Sequence, residues 1–450
     1  MEIDNTITFK DVSKELKSFW ELVIKKVHAL EKNYDETKGS PVFTIDGKYT
    51  TRGWTEWTQG FQFGIPLLAF DATDDIEMLT IGKNNTLQKM THHLSHFGVH
   101  DHGFNNLSTY GNLLRLANEN QFECRGFEKD FYRLALKMSG SVQAKRWTDI
   151  PDGGYLYSFN GPHSLFIDTI RTCRILLAAH TLQHRMLEEQ DKETDLLQRA
   201  IIHGMTTAKY AVYYGEGRDS FDDWGRVAHE SIFNLNDGAY RCPNSQQGFS
   251  GFTTWTRGLA WAMLGFTEFI EYLDAFSLGS DETRKTFLKA AKATCDFYIE
   301  HTASDGIPYW DTGAPLLYKL GEYQKTPSDP HNNYEPVDSS AAAIGAQGML
   351  RLGNILKNED PVAAKKYTFA GLVTLKTLLN DVYLAKDKNH QGILKHSIYH
   401  RPNGWDNVPK GLKIPAEESS MWGDYHMVEL CLLGHRLSKG KNYHFFDGIL

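Results

Sequence analysis

The stretch from Ser158 to Ala178 reads SFNGPHSLFIDTIRTCRILLA. Its Asn-Gly-Pro segment predicts a loop, and the apolar residues that follow predict a helix over 163–188. One carboxylate, Asp168, falls about one turn into that helix among apolar neighbours. An ionised carboxylate is costly there unless it is paired, so we expect its pKa to be raised, as suits a general acid. The alternative is a structural role, in which Asp168 caps the helix or pairs with Arg171 or Arg174.

The same alternation of loop and helix runs along all 450 residues, whereas strand-like alternation is scarce. Apolar residues recur at helical spacing near 10–34, 56–70, 74–97, 105–121, 126–140, 163–188, 192–213, 254–275, 281–302, 336–357, 360–380 and 418–437. Long irregular stretches separate some of these helices, at 141–162, 214–253, 303–335 and 381–417.

Twelve helices with long loops at one end predict an all-α fold, an (α/α)6 barrel made of six helical hairpins. An α-solenoid is the alternative, but it would show a stronger internal repeat. The sequence has no Pro/Ser-rich linker or change of composition. We therefore expect one catalytic domain over 1–450, with an N-terminal helical segment at about 1–50.

Composition narrows the classes of function. The 48 basic and 56 acidic residues give a net charge of −8 without a long basic run, which disfavours nucleic-acid and membrane partners. Five dispersed cysteines without a C-x-x-C pair indicate reduced thiols. The N-terminus lacks the pattern of a signal peptide, and we expect a cytoplasmic location, or a periplasmic one if a leader has been removed. Oligomeric state is not predicted.

A group of histidines precedes a second candidate carboxylate. His92, His96 and His100 are spaced by four residues, but the glutamate of an HExxH motif is missing and Gly98 predicts a helix end before His100. We therefore expect no metal. The stretch HDHGF instead predicts a loop that presents Asp101 between two histidines, and a simple helix cap is an equally good explanation of Asp101.

The stretch from Trp224 to Trp261 carries groups suited to an anionic sugar: His229, Gln247, Arg257 and Trp261. Arg257 and Trp261 are four residues apart on a predicted helix, so they share a face and could hold a carboxylate and a ring together. The alternative is a buried arginine–carboxylate pair packed over a core tryptophan.

Two further stretches place aromatic residues beside polar ones. In WTEWTQGFQF at 54–63, Trp57 and Phe61 lie one helical turn apart, a spacing more typical of core than of a ligand platform. EESSMWGDY at 417–425 contains Trp422 and follows HSIYHRPNGWDN at 396–407. Hydroxyl and amide groups there could grip a polar ligand or merely close the rim of a barrel.

The order of these motifs resembles that of the unsaturated glucuronyl hydrolases, glycoside hydrolase family 88, from about residue 54 to residue 437. The matching pieces are WTQGF at 57–61, HDHGF at 100–104, FIDT at 166–169, His229, QG at 247–248, WTRGLAW at 255–261, PVDSSAAAIGA at 336–346 and MWGDY at 421–425. The family has an (α/α)6 barrel, which agrees with the twelve helices counted from periodicity.

The resemblance implies an enzyme that removes a terminal 4,5-unsaturated uronic acid from lyase-generated oligosaccharides, sulfated or not, without a metal or organic cofactor. It hydrates the C4=C5 vinyl ether, and the resulting hemiketal opens and expels the rest of the sugar. By position, Asp168 matches the catalytic acid/base and Asp101 the second essential carboxylate. His229, Gln247, Arg257 and Trp261 match residues that line the subsite for the unsaturated sugar, and Trp57 and Phe61 match aromatic wall positions.

One departure from the family pattern concerns Arg171, which follows Asp168 by three residues. It could pair with Asp168 and oppose the acid role, face outward, or bind an anionic group of the substrate. Other functions remain open at this point: an unsaturated rhamnogalacturonyl hydrolase, an ordinary inverting glycosidase that uses Asp101 and Asp168, or a non-catalytic sugar-binding protein.

Overall fold

The computed structural model of the protein describes residues 1–53, 57–441 and 443–449, so the first three residues of the WTEWTQGFQF stretch lie outside the described residues. Its long helices, in chain order, are α1 Ser13–Asn33, α2 Gln59–Thr73, α3 Ile76–Lys89, α4 (His102–Asn106, a π-helical turn Leu107–Gly111, and Asn112–Asn118), α5 Gly126–Ala144, α6 (Thr169–Thr172 and Arg174–Thr181), α7 Leu196–Tyr210, α8 Thr256–Phe276, α9 Asp281–His301, α10 Ser339–Leu356, α11 Pro361–Leu378 and α12 Met421–Ser438. Short 3-10 turns occur between them.

The even-numbered helices form an inner ring, because α2, α4, α6, α8, α10 and α12 pack in succession and α12 returns to α2. The odd-numbered helices pack outside them. Burial follows this arrangement: α8 is buried on all sides from Thr256 to Leu273, whereas α9 buries only the face that includes Phe287 and Tyr298. The predicted all-α (α/α)6 barrel is confirmed.

Most predicted helices agree with the structure to within a few residues, and side chains cap two of their starts. Asp75 accepts a hydrogen bond from the Glu77 amide, and Ser280 accepts one from Thr283. Such caps satisfy amide groups that the first helical turn leaves unpaired. The prediction of a helix over 163–188 is wrong at its start, because Ser164–Phe166 is a strand and the helix begins at Thr169.

Short antiparallel strands stiffen the loops. They are β1 Phe43–Ile45, β2 Lys48–Thr50, β3 Trp147–Ile150, β4 Gly153–Leu156, β5 Ser164–Phe166, β6 Met186–Leu187, β7 Glu193–Thr194, β8 Glu230–Phe233 and β9 Tyr240–Asn244. The sheet β5-β8-β9 pairs Phe166 with Glu230, so the segments that precede α6 and α8 are held together.

None of the helices in the described part of the chain combines the length and apolar composition needed to cross a bilayer.

Candidate active site

A cavity of about 230 Å³ opens where the loops lead into the inner helices. Its walls come from the segments before or at the starts of α2, α4, α6, α8 and α12. The lining residues are Trp57, Val99, His100, Asp101, Phe104, Phe159, Phe166, Asp168, Gln246, Gln247, Trp255, Arg257, Trp261, Tyr399, His400, Asn403 and Trp405. The cavity therefore collects most of the residues predicted from the sequence.

Asp101 and Asp168 meet in this cavity although 67 positions of sequence separate them. Asp101 directly precedes α4 and Asp168 directly precedes α6. Neither side chain caps its helix, so the helix-cap explanation is wrong for both. Asp168 was expected one turn inside a helix. It lies instead two residues after β5, directly before α6, and its carboxylate reaches the cavity from there.

Gln143 on α5 links the two helices that carry these carboxylates. Its Oε1 accepts a hydrogen bond from the Gly103 amide at 3.3 Å, and its Nε2 donates to Thr172 Oγ1 at 2.5 Å. Since Gln143 is fully buried, water does not compete for these bonds. The positions of Asp101 and Asp168 are thus fixed relative to each other by the helix behind them.

His100 joins the two carboxylates. Its Nε2 donates to Oδ1 of Asp168 at 3.1 Å and lies 4.0 Å from Oδ1 of Asp101. The ring is only 2% exposed and contacts Phe159 and Phe166. The imidazole thus contacts both carboxylates, and both carboxylates also line the cavity.

The pKa values in this group differ from the sequence expectation. Burial raises the pKa of Asp101 to about 6. Burial also raises that of Asp168, but the hydrogen bond from His100 and the charges of His100, His229 and Arg257 outweigh it and hold the pKa below its usual value. The expected raised pKa of Asp168 is therefore wrong, because sequence alone did not reveal its cationic neighbours.

The pKa of His100 is shifted in the opposite direction. Burial lowers its pKa, but the charge of Asp101, the hydrogen bond to Asp168 and the charge of Asp168 together raise it. These side chains thus favour an imidazolium beside an ionised Asp168.

Arg257 and Gln247 form a rigid polar wall. Nη2 of Arg257 donates to Gln247 Oε1 and to the Tyr399 carbonyl, each at 2.9 Å, and Nη1 donates to the Ile398 carbonyl. The guanidinium also stacks on Trp255 and Trp422, each at 4.7 Å from the ring centroid. The alternative of an arginine–carboxylate pair holds only in part, since Asp338 lies 3.7 Å away while Arg257 still lines the cavity.

His229 lies behind the cavity wall, 1% exposed, between Phe166 and Trp255. Its Nδ1 accepts a hydrogen bond from the Gln246 amide at 3.0 Å, which leaves the proton of the neutral ring on Nε2. Nε2 is buried without a partner in the protein, and burial lowers the pKa of the ring to about 4. A neutral histidine with a free donor is suited to a ligand oxygen.

The predicted aromatic residues divide into two layers. Trp57 and Trp261 line the cavity. Phe61 and Trp422 are fully buried behind it, where Phe61 contacts Phe104 and Trp422 stacks on Trp57 at 5.0 Å. Neither Phe61 nor Trp422 lines the cavity, and both support the rings that do.

Arg171 does not fit any of the three roles considered for it. Its side chain is fully buried, with Nε 2.8 Å from Glu268 and Nη2 3.0 Å from Glu429. These partners come from α8 and α12, so Arg171 belongs to an ionic network inside the barrel. It neither pairs with Asp168 nor faces outward, and it cannot reach a substrate anion.

The three spaced histidines also do not form a cluster with metal-ligand geometry. Among the described residues, the group of three side chains with that geometry is His331, His396 and Glu417, which lies outside the cavity. Glu417 already pairs with His331 and with Lys395.

Sequence reasoning missed several lining residues. His100 was considered as a metal ligand and as a neighbour of Asp101, and Trp255 only as part of the WTRGLAW stretch. Tyr399, His400, Asn403 and Trp405 belong to the HSIYHRPNGWDN loop, whose density of aromatic and amide groups was the available signal.

No family model matches the chain. Two curated proteins named unsaturated glucuronyl hydrolase are each 26% identical to it. The one from Bacillus sp. (strain GL1) matches over 409 residues, 89% of this chain and 91% of its own. The one from Formosa agariphila matches over 380 residues, 83% of this chain and 78% of its own. A crystal structure described as unsaturated glucuronyl hydrolase specific for heparin superposes with a TM-score of 0.72 at 21% identity, covering 95% of this chain and 99% of that one. The chain is therefore a homologue of the unsaturated glucuronyl hydrolases, which confirms the resemblance indicated by its motifs.

Proposed function

We propose that the protein is a glycoside hydrolase that removes a terminal 4,5-unsaturated uronic acid from lyase-generated oligosaccharides by hydrating the C4=C5 double bond. The observation that carries this proposal is the meeting of Asp101, His100 and Asp168 at one wall of an aromatic cavity that also contains Arg257. We also propose that residues 1–450 act as one catalytic domain.

The cavity is suited to one anionic sugar ring. Trp57 and Trp261 offer flat apolar faces for the ring. On the wall of Arg257 and Gln247, the fixed positive charge favours the uronate carboxylate. The remainder of the oligosaccharide would extend past His400 and Trp405 toward the opening.

Asp168 is the proposed proton donor. In its neutral form it transfers its proton to C4 of the alkene, and positive charge develops at C5 and O5. The resulting carboxylate then accepts a proton from the water that attacks C5. The hemiketal so formed opens and releases the rest of the substrate. Only side chains and water take part in these steps.

Asp101 is the proposed second carboxylate. Because two close carboxyl groups resist joint ionisation, a charge on Asp101 favours the protonated form of Asp168, and its oxygen atoms can orient the water. An inverting glycosidase would need its two carboxyl groups about 6.5–9.5 Å apart, with room for a water molecule on the opposite face of the sugar. It would turn over saturated glycosides, which have no C4=C5 double bond.

The substrate panel that tests this function contains disaccharides made by lyases from several polysaccharides, with and without sulfate. Loss of the ultraviolet absorbance of the conjugated alkene reports hydration. The proposal expects turnover of at least one member of the panel. Binding to these disaccharides without loss of absorbance would support a sugar-binding protein instead.

A further inference from the structure

We propose that His100 is a positioning residue that stores the catalytic proton and hands it to Asp168 when a sugar fills the cavity. This inference rests on the proposed function, because it concerns the group from which the double bond receives its proton. It assigns a role to a residue that the motif comparison placed only next to Asp101.

The geometry gives His100 one route for a proton. Nε2 is 3.1 Å from Oδ1 of Asp168, a hydrogen-bond distance, whereas Asp101 is 4.0 Å away. The ring is held between Phe159 and Phe166, so it keeps this orientation. The proton therefore passes from Nε2 to Asp168 without a movement of the chain.

The second ring nitrogen makes the stored proton transferable. Nδ1 of His100 is buried and has no hydrogen-bond partner in the protein. A charged imidazole is thus stabilised by the two carboxylates and not by any acceptor behind it. If either Asp101 or Asp168 becomes neutral, the buried imidazolium of His100 loses much of its stabilisation.

Six titratable groups, from all the elements packed against His100, face its ring. The facing titratable groups are Asp101, His102, Arg146, Asp168, His203 and His229. Burial lowers the pKa of His102, His203 and His229 to about 4, 3 and 4, so these rings are neutral at pH 7. Asp101 and Asp168 thus favour the cation, and Arg146 opposes it.

Entry of the sugar would shift the proton. Filling the cavity removes water from the His100–Asp168 pair, and desolvation favours a neutral pair over two ions. In the transfer the Nε2–H bond breaks and an O–H bond forms on Asp168. The imidazolium becomes neutral imidazole with its proton on Nδ1, and the carboxylate becomes the carboxylic acid that the proposed reaction requires.

The pH dependence of kcat/KM separates this role from simple support of the site. His100→Gln keeps a donor toward Asp168 but cannot carry the proton, which must then remain on the carboxyl groups. The charge of His100 lowers the pKa of both Asp101 and Asp168, so the pKa of each carboxyl group rises in the variant. Because the proton is then held by the carboxyl pair and no longer by the imidazole, we expect the profile to change shape, with the ratio of variant to parent activity differing by roughly tenfold between pH 5.5 and pH 8.

His102→Gln is the matched control, because His102 is equally buried but bonds Ser139 and the His96 carbonyl instead of the carboxylates. Its profile should keep the parental shape. A His100→Gln profile parallel to the parent, displaced by a constant factor, would overturn the proposal and leave the proposed function intact. Absence of turnover by the parent on every unsaturated disaccharide would instead reject the function.

A second measurement does not depend on activity or on a folded variant. Nitrogen NMR of histidine side chains in the parent protein should show His100 as imidazolium at pH 6.5 without ligand. The bound sugar in this measurement is a saturated uronic acid, which the parent is expected to bind without turnover. The Asp168→Asn variant is not used, because it lacks the carboxylate that accepts the proton. The proposal expects His100 to become neutral; a ring that stays charged would contradict it.

Discussion

A Cβ atom on Gly103 would lie 2.0 Å from the carbonyl oxygen of Thr172. Gly103 is in the first turn of α4 and Thr172 is in the first turn of α6, so the two helices touch backbone to backbone directly below Asp101 and Asp168. Only glycine permits this approach. The close approach of α4 and α6 at this point therefore depends on the missing Cβ atom of Gly103.

Gly103→Ala should push α4 away from α6. Overpacking of a filled interior typically costs about 1–3 kcal/mol, and here the contact is with backbone that cannot rotate aside. We expect a lower melting temperature and a larger loss of activity than of substrate binding. Gly126→Ala is the control, since its Cβ would meet nothing within 4 Å. Equal behaviour of the two variants would contradict the role given to Gly103.

The buried ionic network predicts a different kind of loss. Arg171 is fully buried between Glu268 and Glu429, so Arg171→Met leaves carboxylates in the barrel interior with fewer partners. Removal of one partner of a buried pair typically costs about 3–5 kcal/mol. Urea denaturation should show this loss.

Arg185→Ala provides the comparison, because the Arg185–Glu193 pair is on the surface. Exposed pairs contribute about 0–1 kcal/mol. If Arg171→Met were no more destabilising than Arg185→Ala, the network would not be a major source of stability.

Buried histidines predict that the protein loses stability in acid. Burial lowers the pKa of His93, His203 and His396 to about 3, whereas an unfolded histidine titrates near about 6.5. Between these values the unfolded chain binds protons that the folded chain does not. The free energy of unfolding should therefore fall as the pH is lowered from about 6.5 to about 4.

Two variants test the sign of this dependence. His203→Gln should flatten the decline, because one group that takes up a proton only on unfolding is removed. Asp424→Asn should steepen the decline. Burial raises the pKa of Asp424 to about 7, so as the pH falls the folded chain binds this proton before the unfolded chain does, which stabilises the folded state. A free energy of unfolding that is constant or rises toward pH 4.5 would refute the prediction.

Local patterns in the sequence were sufficient for the barrel. In α8, Leu259, Ala262 and Phe266 recur at helical spacing, as the apolar pattern over 254–275 predicted. These local patterns did not reveal the strand at Ser164–Phe166, because that segment is extended only through pairing with β8, more than 60 residues away. Such tertiary contacts override local preference.

The site was predictable in its residue types and not in its contacts. Asp101, Asp168, Gln247, Arg257, Trp57 and Trp261 line the cavity as expected. The partner of Asp168 was missed, because His100 reaches it across the contact between α4 and α6. The partners of Arg171 come from α8 and α12, which no spacing within 158–178 could indicate.

The central claim is that a neutral Asp168 protonates a carbon–carbon double bond. Its most direct test compares the parent and Asp168→Asn on an unsaturated disaccharide and on the matched saturated one. The parent should turn over only the unsaturated substrate, and the folded variant should be slower by about 10²–10⁴-fold. Comparable turnover of the saturated disaccharide, or near-parental activity of Asp168→Asn, would contradict the account.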